Sequence, residues 1–155
     1  MMISLAQALK EKNRIAGELA NAWRLIALEN SMREDKRRVT DLQELYKTIR
    51  LYTEKLVELK TKIGLANAGN LENIYRMEEC KNELQKIERI NTDESSDFQK
   101  ISDSEFKEYK RTVVFNSSVI WDWQQKLQQE CNKLQDEMDT YNATTKIDFE
   151  TPLGR

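Results

Sequence analysis

The feature that most constrains this chain is an apolar stripe in residues 42–63. Leu42, Leu45, Ile49, Tyr52, Leu56, Leu59 and Ile63 recur at alternating spacings of three and four. Only an α-helix, with about 3.6 residues per turn, gathers such positions on one face. Burying each Leu or Ile is worth about 1.5–3 kcal/mol, so a stripe this long demands a partner along its whole length. Thr40 followed three residues later by Gln43 has the form of a capping box and sets the expected start of this helix.

Similar spacing predicts a first helix over residues 4–31, with Leu5, Leu9, Ala16, Leu19, Trp23 and Ile26 on one side. Ile15, Ala22 and Leu25 widen that face beyond a two-stranded seam. Gly17 costs helix stability, and the close approach of a neighbouring helix is its expected justification. Residues 33–38 form a short, mixed-charge connection, so the two long helices should fold back as an antiparallel hairpin.

Residues 64–70 interrupt the pattern, and Asn70 is placed to cap a third helix carrying Ile74, Met77, Cys80, Leu84 and Ile87. A polar linker spans 91–97. Phe106, Tyr109 and Thr112 to Phe115 mix aromatic and β-branched residues, which predicts a short extended segment within 104–116. A last helix, capped by Asn116, Ser117 or Ser118, carries Ile120, Trp123, Leu127, Cys131 or Glu130, Leu134, Met138 and Tyr141. The expected fold is all-α, a long antiparallel hairpin within a three- to four-helix bundle. Residues 1–147 would form one domain. Pro152 and Gly154 discourage helix, leaving 148–155 as a C-terminal tail.

Chemistry is constrained mainly by what is missing. The chain has no histidine, which removes the histidine-based triads, the usual zinc ligand sets and the commonest general base. Neither GxGxxG, GxxxxGK[ST] nor HExxH occurs. No catalytic, cofactor or metal residue is therefore assigned, and the reading leans away from an enzyme. The alternative is a carboxylate-based metal or small-molecule site between helices, drawing on Glu78 and Glu79 or on Asp136, Glu137 and Asp139.

A formal charge of −2 gives no global field towards nucleic acid. Arg33, Lys36, Arg37 and Arg38 are interrupted by Glu34 and Asp35 and read as a solvated turn. No stretch approaches the ~20 apolar residues of a membrane span, and the N-terminal residues lack the basic start of a signal peptide. The expected location is the cytoplasm, where Cys80 and Cys131 serve as small buried hydrophobes.

Trp121 and Trp123 lie two residues apart and so point about 200° away from each other on a helix. With Trp123 in the core stripe, Trp121 faces elsewhere. It either covers the extended segment around Val113 to Phe115 or anchors a subunit contact, where tryptophan is enriched. Trp121 is accordingly the candidate interface residue of a non-enzymatic, self-associating scaffold, expected to be a homo-oligomer.

Several local strings carry a family likeness. Ile3-Ser4-Leu5-Ala6-Gln7-Ala8-Leu9 opens the chain, and Ile63-Gly64-Leu65-Ala66-Asn67 ends the second helix. Ser104-Glu105-Phe106 precedes Thr112-Val113-Val114-Phe115-Asn116, and Tyr141-Asn142-Ala143-Thr144-Thr145-Lys146-Ile147 closes the last helix. In order and spacing these resemble a bacterial family of uncharacterised helical proteins, some of whose members carry the label septicolysin. Gly64 stands where that pattern has asparagine, and Ala143 where it has tryptophan. The resemblance implies a helical fold and a bacterial origin, and it supplies no catalytic residues.

Overall fold

The computed structural model describes residues 1–152. Helix accounts for 65% of the chain, joined by two small antiparallel strand pairs. The chain divides into two compact units. One comprises Met1–Leu71 and the chain from Met138 on; the other is Glu72–Glu137.

In the first unit, strand β1 (Met2–Ser4) leads directly into helix α1 (Leu5–Glu29). Ser4 caps it: the hydroxyl accepts from the Gln7 N–H at 3.1 Å, and Gln7 Oε1 accepts from the Ser4 N–H at 2.8 Å. Helix α2 (Leu42–Ala66) begins one residue later than Thr40 would have set. Asp41 is its cap, its carboxylate accepting from the N–H groups of Gln43 and Glu44. A carboxylate at this position also complements the helix dipole, which a threonine hydroxyl does not. Each helix has 25 residues, about 38 Å of length.

The two helices pack antiparallel. Leu19 and Ala22 of α1 lie beside Leu45, Thr48 and Ile49 of α2, while Leu5 and Ala8 share a cluster with Leu59 and Ile63. Ile49, Tyr52, Leu59 and Ile63 of the α2 stripe are buried. On α1 the centre of the stripe is Ile15, fully buried, whereas Ala16 is exposed. Edge-on contact between Trp23 and Tyr46, 6.2 Å between ring centres, marks the end of the pair near the connection.

The opposite end is closed by strand β4 (Lys146–Asp148), which pairs antiparallel with β1 and sets Ile3 opposite Ile147. Beyond it the expected tail departs from the reading: Phe149 is 1% exposed and belongs to the core with Ile3, Leu5, Ala8, Ile15, Leu59 and Ile147. Lys62 of α2 donates to the Asp148 carbonyl at 2.6 Å, fixing β4 to the helix pair. The chain turns after α2 through a 3₁₀ segment, Asn67–Asn70. Helix α4 (Ser117–Thr144) contributes its last turns to this unit, where the Tyr141 hydroxyl donates to the Ala66 carbonyl at 2.6 Å.

The second unit pairs α3 (Leu71–Ile87), from Glu72 on, with the part of α4 up to Glu137. They too run antiparallel: Arg76 to Cys80 lie near Glu130, and Glu83 to Ile87 near Trp123 and Leu127. Met77, Cys80, Ile120, Cys131 and Leu134 are buried here. Between the helices lie strands β2 (Ser96–Ser102) and β3 (Glu105–Lys110), a hairpin in place of the single extended segment expected within 104–116. Val113 to Phe115, whose β-branched character suggested that segment, lie outside both strands.

The glycines separate two effects. No neighbour approaches within 4 Å of a Cβ built at Gly17, so the close helix approach expected there does not occur. A Cβ at Gly69 would come 2.8 Å from the Tyr141 hydroxyl oxygen. Gly17→Ala is therefore expected to raise stability by about 0.5–1 kcal/mol. Gly69→Ala should lower it by about 1 kcal/mol by displacing that hydroxyl, and should cost little in a Tyr141→Phe background. Urea denaturation of the four variants checks both signs.

Candidate interaction surface

The hairpin builds an exposed apolar surface in the second unit. Its register pairs Phe98 with Glu108 and Lys100 with Phe106, which sets these four side chains on one face; Asp97, Tyr109, Gln99 and Lys107 occupy the other. An irregularity between Lys100 and Ser102 leaves Ile101 as an extra residue. Phe98, Ile101, Phe106 and Tyr109 are all exposed, and every residue of β3 is exposed. An isolated two-stranded hairpin is only marginally stable in water, so this one depends on what holds its base and its surfaces.

The base is held by charge. Arg111 donates to Asp97 at 2.9 Å and lies 3.9 Å from Asp93. The Asp93 carboxylate also accepts from the backbone and side chain of Ser95, and these hydrogen bonds, ahead of Arg111, keep its pKa below the usual carboxylate value. From there the chain reaches Phe115, whose ring rests against Trp123 at 4.8 Å. Asn116 then caps α4, its side-chain oxygen accepting from the Val119 N–H at 3.0 Å.

Phe115 is thus covered by Trp123 and not by Trp121, which is 59% exposed. Trp123 also lines a shallow groove of about 420 Å³ between α3 and α4, with Ile87 and Leu127 as its apolar floor and Lys86, Lys126 and Glu83 at its rim.

The basic connection in the first unit has structural work. Arg38 donates to the carbonyls of Glu29 and Asn30, both at 2.8 Å, satisfying groups that the end of α1 leaves open. Arg33 pairs with Asp35 at 2.7 Å. As for the acidic groups, Glu137 faces Lys133 at 3.9 Å, and Glu79 lies near Arg76 beside Glu83 and Glu130. Among the described residues, no three His, Cys, Asp or Glu side chains gather closely enough to hold a metal ion. Nor is any described helix long and apolar enough to cross a membrane.

No family model, curated protein or solved structure matches the chain. What the residues define is a mostly helical protein with a β-hairpin that exposes Phe98, Phe106 and Tyr109.

Cys80 and Cys131 meet inside the α3–α4 seam. The Cys80 thiol donates to the Leu127 carbonyl at 3.4 Å, one helical turn before Cys131, and both cysteines are buried. Burial, then the neighbouring Cys131, pushes the Cys80 thiol up to about 12. A raised thiol pKa favours the folded state fully below the ordinary thiol range; that contribution falls as pH rises through about 9 towards about 12. Cys80→Ala should flatten this alkaline loss in a series of pH-dependent melts. Native Cys80 should resist a thiol reagent at pH 8 and react once the chain is unfolded.

Proposed function

We propose that this chain is a non-enzymatic helical scaffold that acts by self-association. The observation that carries the reading is the hairpin, whose aromatic residues are exposed on both faces and whose own strand pair is too small to be stable by itself. Trp121 adds a second exposed anchor of the residue type that dominates interface energetics. The fold reading that goes with it is a long antiparallel hairpin within a three- to four-helix bundle. The proposal includes a bacterial, cytoplasmic protein related to the helical family whose members carry the septicolysin label.

Self-association makes a direct prediction about mass. Sedimentation of the unmodified chain over a dilution series should give an apparent mass above the monomer that falls as concentration falls. Trp121→Ala should move that fall to higher concentration while the far-UV helix signal stays in place. A chain that remains monomeric at the highest attainable concentration overturns the reading.

A further inference from the structure

Strand β3 reads Glu105-Phe106-Lys107-Glu108-Tyr109-Lys110, the order acid–aromatic–base written twice. Among the described residues its sheet has two strands, so one edge of β3 bonds to β2 and the other has no strand partner there. Exposed sheet edges are normally blunted by charge, because an approaching copy brings like charges against it. Here the order of charges has the opposite effect. In an antiparallel pair related by a two-fold axis, a residue at the centre faces itself, and the residue before it faces the one after it. Centring on Phe106 sets Glu105 opposite Lys107 twice, on either side of an aromatic pair. The next position, Ser104, lies in the turn outside β3, so the strand pairing runs over residues 105–107 of each copy. Centring on Tyr109 also pairs Glu108 with Lys110, but its next position sets Lys107 against Arg111.

We infer that the free edge of β3 pairs antiparallel with the same edge of a second copy of this chain, centred on Phe106. The inference rests on the self-association reading and names its contact surface. The product is a four-stranded sheet in the order β2-β3-β3-β2, which crosses the size at which a hairpin becomes stable. On one face, Phe98 and Phe106 of both copies form a continuous aromatic band, since they share a face in each hairpin. Among the described residues Glu105 makes no ion pair, and Lys107 lies over the Tyr109 ring at 5.1 Å, so the charges the pairing uses are not committed to other charged groups there. The hairpin carries acids and bases in near balance, which suits a copy of itself better than a polyanion.

The test is a charge exchange read by sedimentation equilibrium, with far-UV circular dichroism as the folding control. Glu105→Lys or Lys107→Glu alone sets like charges opposite each other twice and should weaken association by about tenfold. The double exchange Glu105→Lys with Lys107→Glu restores both attractions and should return the association constant to near that of the unmodified chain. The matching exchange at Glu108 and Lys110 should have a smaller effect. If the unmodified chain associates and the single exchanges leave its constant unchanged, the β3 contact is wrong while the scaffold reading stands. If both single exchanges weaken association and the double exchange fails to restore it, the antiparallel register is wrong. An unmodified chain that never associates overturns both readings.

Discussion

Two packed helices bury only one side of each other, and the rest of this structure follows from that constraint. In the first unit the seam between α1 and α2 supplies Ile15, Ile49, Tyr52 and Leu59, but its far end needs a cover. The cover comes from the most distant parts of the chain: β1 and β4 pair beside the helices, and Phe149 fills the space against Leu5 and Leu59. A fully buried aromatic side chain carries more apolar area than any other residue there. Lys62 adds a bond from α2 to the backbone of β4, so the strand is tied to the helix it covers.

The second unit solves the same problem less completely. Its buried side chains are Met77, Cys80, Ile120, Cys131 and Leu134, and none is as fully buried as Phe149, Leu5, Ile15, Ile49 and Leu59 of the first unit. Trp123 and Phe115 extend the seam, but both keep an exposed side, and the hairpin adds no buried position beyond its base. Exposed apolar surface therefore remains on the hairpin and at Trp121, where the internal core of this unit does not reach. That distribution ties packing to function, because a surface that stays exposed in one chain is available to another.

Much of the helical architecture was legible from periodicity. The α2 stripe, the antiparallel fold-back of α1, and the α3 and α4 stripes through Cys80 and Cys131 lie where the spacing placed them, since each helix needs one buried face. Signals that were present but unread are local: Ser4 with Gln7 has the capping-box pattern, and Asp41 is a stronger cap than Thr40. The pairing of β1 with β4 was beyond reach for another reason. Three-residue strands leave too short a pattern to detect, and their partners lie at opposite ends of the sequence, so Phe149 looked like part of a tail. The division into two units was hidden as well, because α4 carries one unbroken stripe into both.

The hairpin was hidden by the property that gives it meaning. A strand announces itself by alternation when one of its faces is buried, and neither face of β3 is buried in the chain. Phe106 and Tyr109 are three apart, so they fall on opposite faces and break the period-two pattern. The same spacing is what repeats acid, aromatic and base twice along one strand. A sequence selected only for a wet, isolated edge has no need of that order, since any mixture of charges keeps it soluble. Under the proposed pairing, opposite charges flanking a single aromatic attract when the edge meets its own reverse. The feature that defeats a reading based on burial within one chain is the one the proposed pairing would use across two.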